Sequence, residues 1–474
     1  MSATDTTPTS GPSIDQSQAD ETNWPLLASE RTWSGGQLFV VLMVTACATW
    51  CFIIGEYVGY YLGFKPGIAA MTAGSMIGML LVALAVLPAA TRYGIDSIVS
   101  ARPQFGSRGW LITVALQYVS IIGWNSLLLI FFGKSVTQLF LVLGVVDEAN
   151  SGMVGPIATL VACGVVFAIL NGGVQAISKV AFPLFFCIIG VGAWMVYLLL
   201  TNEWQAVSTT TPAYASGDFQ WDYITGVEIG IVSLLSWWPY IGAMIRVAPN
   251  SSTAAAPSML GMGLPVPLLS IVGLAAILAI GASDPSSWMV ALGGTFYGAI
   301  ALVFVIAANF GTAMTGVYAT TVGLRSVPGF DRLPWKALLL FAIVPVAFMG
   351  AVVPNAVFDN FGVLLAFTGV FFAPLCAIQI VDFLILRRQV LNVRALYDNA
   401  EGSDYHYWGG FNPAAILAML AGFGTYLYLL NPISYASRSP YEILTASLPT
   451  ALVGGVVYLI ATYAIVKPAG KGGY

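Results

Sequence analysis

Apolar residues run through this chain in long unbroken stretches separated by short polar loops. In the first half they cover 37–63, 67–91, 110–144, 152–171, 175–200 and 223–247. In the second half they cover 258–282, 290–323, 336–354, 357–386, 411–430 and 441–466. A stretch of about 20 apolar residues crosses a bilayer as a helix, because hydrocarbon offers no water to satisfy an exposed backbone. Strands of a membrane barrel would instead alternate apolar and polar residues over about ten positions, which these stretches do not do. The pattern therefore predicts an all-α polytopic membrane protein with twelve transmembrane helices.

Composition agrees: 58% of the 474 residues are hydrophobic and 8% charged, against about a quarter charged in soluble domains. The basic residues orient the chain. With the N terminus cytoplasmic, only Lys65, Lys134 and Arg438 fall on the outer side, and every other Lys and Arg falls inside. Residues 1–33 are rich in Ser, Thr, Asp, Gln and Pro and lack a basic segment followed by an apolar one, which predicts a disordered cytoplasmic tail and no cleaved signal.

Two spans carry interruptions. The first contains Gly55-Glu56-Tyr57-Val58-Gly59. The sixth contains Ser236-Trp237-Trp238-Pro239-Tyr240-Ile241-Gly242, in which Pro239 removes a helix donor and Gly242 eases unwinding. They lie five spans apart. That spacing predicts two five-helix repeats of opposite orientation, 34–202 and 203–390, followed by two accessory helices and a short cytoplasmic C terminus in 391–474. Paired broken helices at mid-membrane are where transporters of this kind bind cargo.

Glu56 is the deepest acidic residue, and an ionised carboxylate at that depth requires a cation, a proton or hydrogen-bond donors. It is a candidate ligand for a cationic or N–H-rich group, or for the coupling proton. Trp124 and Asn125 lie midway along the third span, and Trp237, Trp238 and Tyr240 surround the sixth-span interruption. Together these rings suit a flat heterocycle or a delocalised cation. Thr312 and Thr315 share a face of the eighth span. Glu228 sits near the outer start of span six, and Asp382 precedes Arg387 and Arg388 in a pattern that predicts an interfacial charge network. The five cysteines fall within spans without metal-type spacing and read as core residues. One histidine, no clustered metal ligands and no nucleotide-binding loop argue against an enzyme, and the gathering of polar groups around two interruptions argues against a continuous pore.

The segments "GEYVGYYLGF", "SARPQFGSRG", "IIGWNS", "NFGTAMTGVYATTVG" and "IVDFLILRRQ" resemble the nucleobase cation symporter family of cytosine, allantoin and hydantoin transporters. The resemblance implies a leucine-transporter-type fold with a 5+5 inverted repeat and a central site between spans one, three, six, eight and ten. It implies that Trp124 and Trp238, or Trp237 in its place, stack on a planar substrate. It also implies a sodium site near the carbonyls of Phe52 and Gly55 with Ala308, Gly311 and Thr312. No amide occupies the eighth-span neighbourhood of Gly316 and Val317 where some relatives place a substrate-binding asparagine.

The expected function is secondary active uptake of a small planar nitrogen-rich compound, a nucleobase or related heterocycle, with Na+ or H+ by alternating access. The alternative cargo is a small organic cation held by Glu56. The expected protein has no cofactor and no nucleic-acid partner, and acts as a monomer in the plasma membrane with both termini cytoplasmic.

Overall fold

The computed structural model describes residues 24–171, 175–281, 285–330 and 332–474. Among the described residues eight helices are long and apolar enough to cross a membrane, two bent helix pairs each read as one broken span, and Ile189–Asn202 and Pro413–Leu429 are shorter apolar helices. The bent pairs are Gly35–Ala46 with Trp50–Gly59, at 64°, and Phe219–Leu235 with Trp238–Ile245, at 48°. They belong to the first and sixth spans, the two that carry interruptions in the sequence.

The sixth-span break falls at Ser236–Trp237, inside the expected segment, with Pro239 in the first turn of the second half-helix, where its missing N–H costs nothing. Gly242 does not unwind anything. Its N–H donates to Ser97 Oγ at 3.0 Å, and a β-carbon there would collide with the Ser97 backbone.

In the first span the break lies elsewhere than expected. The chain leaves the helix at Cys47, which is extended at φ −90° and ψ 101°, and re-enters it after Thr49; Gly55, Glu56 and Gly59 are all helical. Gly55 serves close packing instead: a β-carbon there would strike the Ser270 carbonyl, and one on Gly273 would strike the Phe52 carbonyl. Small residues that let two backbones approach are a common glue between membrane helices. The half-helix Trp50–Gly59 is thereby fixed against the seventh span, Ser251–Ile280.

The eighth span is divided as well. The helical run Pro285–Arg325 is broken at Gly294, whose φ of 72° only glycine adopts without strain. The tenth, Phe361–Leu386, ends in a wide turn over Val381–Leu386. There Asp382 accepts hydrogen bonds from Arg387 Nε at 2.6 Å, Gln104 Nε2 at 2.8 Å, Tyr458 OH at 2.9 Å and Tyr474 OH at 2.7 Å. The expected charge network forms with Arg387. Glu228 accepts from Tyr426 OH, Ser447 Oγ and the N–H groups of Ala446 and Ser447, at 2.6 to 3.2 Å. It joins the sixth span to the last two helices.

The disorder expected over 1–33 does not hold for residues 24–33. Residues 1–23 lie outside the described residues, but residues 24–33 are pinned to the protein. Trp24 stacks on Tyr397 at 4.7 Å, Leu26 N–H donates to Gly94 O, Arg31 donates to the carbonyls of Thr91 and Arg92, and Trp33 N–H donates to Val247 O.

Candidate substrate cavity

Between the two breaks lies a cavity of about 90 Å³. The first span contributes Val44, Thr45, Cys47 and Trp50; the third, Trp124, Asn125 and Leu128; the sixth, Ser236, Trp237 and Tyr240; the eighth, Ala308, Gly311, Thr312, Thr315 and Gly316. Trp124, Asn125, Trp237, Tyr240 and Thr315, all singled out in the sequence, are brought together here.

The aromatic wall has a member that sequence reasoning missed. Trp50, the first residue of the second half-helix, packs against both other indoles, with ring centroids 5.3 Å from Trp124 and 5.7 Å from Trp237. Trp237 continues the wall to Tyr240 at 5.2 Å. In the sequence Trp50 is a tryptophan within an unbroken apolar run, and only the location of the break beside it sets it apart. The indole N–H groups of Trp124 and Trp237 are buried without an acceptor.

Asn125 is buried beside Gly316, where a β-carbon would overlap its amide. Gly316 thus leaves the space that the Asn125 amide of the third span occupies against the eighth. Thr312 and Thr315 also line the cavity, and their hydroxyls donate to the carbonyls of Ala308 and Gly311 at 3.1 and 3.2 Å.

Trp238 is not part of this wall. Its indole nitrogen donates to Gln379 Oε1 at 2.6 Å and its ring stacks on Phe372 at 5.7 Å. Trp237 lines the cavity instead. Glu56 is also absent from the lining: it lies six residues beyond Trp50, about 9 Å farther along the helix at 1.5 Å per residue, and it accepts a hydrogen bond from Tyr60 OH at 2.7 Å. Among the described residues no carboxylate, lysine or arginine lines the cavity.

The sodium-site grouping expected from the resemblance separates into two places. Phe52 and Gly55 face the seventh span, whereas Ala308, Gly311 and Thr312 line the cavity. What does meet the eighth span at the first break is Thr49, whose hydroxyl contacts Asn309 Oδ1; both residues are fully buried.

The cavity lies toward the N-terminal side of the break, since nothing beyond Trp50 in the first span lines it. The opposite side is closed by rings: Phe361 packs on Trp124 at 5.1 Å and on Tyr57 at 5.9 Å, and Tyr57 OH accepts from Gly362 N–H at 3.0 Å.

Broken helices that surround a small closed-ended chamber in a polytopic bundle define a membrane carrier rather than an enzyme. The family described as permeases for cytosine/purines, uracil, thiamine and allantoin matches residues 25–437, and the chain belongs to it. Similar relatives include purine-uracil permease NCS1 of Arabidopsis thaliana, 23% identical over 94% of this chain and 78% of the relative. Cytosine permease of Escherichia coli K12 is 24% identical over 80% of this chain and 86% of the relative. The solved structure of Mhp1, a nucleobase-cation-symport-1 family transporter, shares the fold in two states: a closed form with bromovinylhydantoin bound at TM-score 0.74, covering 93% of this chain and 95% of that one, and an inward-facing form at 0.76, covering 93% and 94%, both at 19% identity.

Proposed function

We propose that this permease takes up a neutral, planar, nitrogen-rich heterocycle of the nucleobase or hydantoin class. The observation that carries this reading is the cavity itself, walled by three indoles, an amide and hydroxyls, with no charged side chain among its described lining residues. Stacking on indole rewards flat π systems, and Asn125 supplies both a donor and an acceptor for a heterocycle edge. The unpartnered indole N–H groups of Trp124 and Trp237 favour a cargo bearing carbonyl or ring-nitrogen acceptors. The organic-cation alternative depended on Glu56, which lies outside this lining and is tied to Tyr60.

For the coupling ion, sodium is favoured over a proton carried on Glu56. The contact between Thr49 and Asn309 gathers two side-chain oxygens where the first and eighth spans meet, and hard cations take oxygen ligands. A cavity on the N-terminal side, with the Phe361–Trp124–Tyr57 rings closing the other, fits an inward-facing state of an alternating-access cycle with the N terminus cytoplasmic. The protein works as a monomer in the plasma membrane.

The test is thermal unfolding of the purified protein with nucleobases, hydantoins and guanidines, each with and without sodium. A cargo that binds only the folded state raises the transition. Neutral heterocycles raise it, more so in sodium; stabilisation by guanidines alone overturns the reading.

A further inference from the structure

We infer that one face of the third span, Gln117, Ser120 and Trp124, leads the cargo out of the cavity toward the N-terminal side, with Gln117 and Ser120 acting in release and not in holding the cargo at rest. The inference rests on the uptake proposed above and extends its site beyond the cavity.

The three residues follow one another at spacings of three and four, which stacks them on a single face of the helix Leu111–Val142. Trp124 lines the cavity. Gln117 lies seven residues nearer the start of the helix, about 10 Å at 1.5 Å per residue. Each carries a buried polar atom with no hydrogen-bond partner: Gln117 Oε1, Ser120 Oγ and Trp124 Nε1. Gln117 is 5% exposed and Ser120 is fully buried. Folded proteins leave few buried polar groups unpaired, and an apolar seam would pack here at no such cost.

The eighth span answers with a face of its own, Gly316, Thr320 and Gly323, at spacings of four and three on the helix Pro285–Arg325. Gly316 lies against the Asn125 amide and Gly323 against the Gln117 amide, where a β-carbon would sit 2.6 Å from Oε1. The Thr320 hydroxyl donates to the Gly316 carbonyl at 3.0 Å, not to Gln117. Gln117, Thr320 and Gly323, with Val114, Tyr118 and Leu324, line a crevice too narrow for a water-sized sphere.

The seam is therefore polar yet shut in this state. Its tie to the sixth span is weak: Gln117 Nε2 donates to the Pro239 carbonyl at 3.4 Å, beyond the usual length of such a bond. Pro239 sits beside Tyr240, which lines the cavity, so parting the third span from the sixth loosens this tie and the cavity wall together. Water and the N–H groups of the cargo then reach Gln117 Oε1 and Ser120 Oγ. A buried acceptor left unpaired costs more than a typical hydrogen bond gains, so the shut seam is biased toward opening.

The experiment compares the purified wild type with Gln117→Leu, Gln117→Asn and Ser120→Ala, each verified as monodisperse. Thermal unfolding without cargo reads the cost of the shut seam. Gln117→Leu raises the transition by about 1–2 °C, because an apolar side chain of similar size forgoes one long hydrogen bond and removes the unpaired acceptor. In proteoliposomes, Gln117→Leu slows exchange of radiolabelled uracil and hydantoin at least tenfold and keeps their equilibrium binding within threefold. Ser120→Ala moves both readouts the same way by less, and Gln117→Asn, which keeps an amide, exchanges within threefold of wild type. A lowered transition in Gln117→Leu overturns the inference, because Gln117 would then be a structural tie. Unchanged exchange in both Gln117→Leu and Ser120→Ala overturns it too, as does lost binding in folded Gln117→Leu. If the wild type binds neither probe, the proposed cargo class fails, and the comparison without cargo still decides: a raised transition in Gln117→Leu supports the inference and a lowered one overturns it.

Discussion

The indole of Trp238 donates to the side-chain oxygen of Gln379 at 2.6 Å, and Gln379 in turn donates to Ser100 Oγ at 3.1 Å. Two neighbouring tryptophans at the sixth-span break thus have opposite assignments: Trp237 faces the chamber and Trp238 ties the break to the tenth span. Trp237→Ala is expected to weaken substrate binding by about 5- to 150-fold, the range implied by ~1–3 kcal/mol for one aromatic stacking partner of a base. Trp238→Phe leaves Gln379 with a lost donor, at about 1–3 kcal/mol. It lowers the thermal transition and spares affinity more than Trp237→Ala does. Binding isotherms and unfolding curves of the two variants check both.

Glu56→Gln is expected to leave binding of a neutral heterocycle within about threefold of wild type, since the amide oxygen can still accept from Tyr60 and the residue does not line the cavity. Abolished binding at every pH would return the carboxylate to the site. Retained binding with lost accumulation in proteoliposomes would make it the proton carrier.

Gly316→Ala pushes a methyl group into the Asn125 amide. The expected loss is about 2- to 10-fold in affinity, the worth of a typical hydrogen bond of ~0.5–1.5 kcal/mol. In the Asn125→Ala background the same change has little further effect. A double-mutant cycle reads this coupling directly.

Thr49→Ala and Asn309→Ala are each expected to reduce sodium-dependent stabilisation by substrate while leaving substrate binding without sodium nearly unchanged. The readout is the thermal shift at matched ionic strength in sodium and in choline.

Asp382→Asn breaks a buried pair with Arg387. Leaving one charge of such a pair uncompensated costs about 3–5 kcal/mol, so folded yield and the unfolding temperature both drop sharply. Size-exclusion profiles after solubilisation show the effect.

The architecture was legible in the sequence because its signals are collective: long apolar runs, one-sided basic residues and two interruptions five spans apart. The sixth-span break was legible for a local reason, since a proline within an apolar run is a strong helix-start signal and Pro239 sits in the first turn after the break. The first-span break was displaced because Gly55 carries two meanings. Glycine marks either a helix that opens or a helix that is approached closely, and only the position of Ser270 distinguishes them. The true break at Cys47–Thr49 contains neither glycine nor proline, so no propensity argument could find it. With that displacement went Trp50, overlooked, and Glu56, which was expected beside the break and lies outside the cavity lining. Trp124, Asn125, Trp237, Tyr240 and Thr315, which line the cavity, stood out as aromatic or polar residues at mid-span or beside the interruption, whereas the exchange of Trp238 for Trp237 turns on a partner, Gln379, that lies 141 positions away.

Glu228 has a mechanical consequence. Its carboxylate receives hydrogen bonds from Tyr426, Ala446 and Ser447, which makes it a rivet through three helices. Any tilt of the outer half of the sixth span would carry the final two helices with it, and with them the lipid against their outer faces. The speed of this carrier should therefore depend on the fluidity of the bilayer that surrounds it.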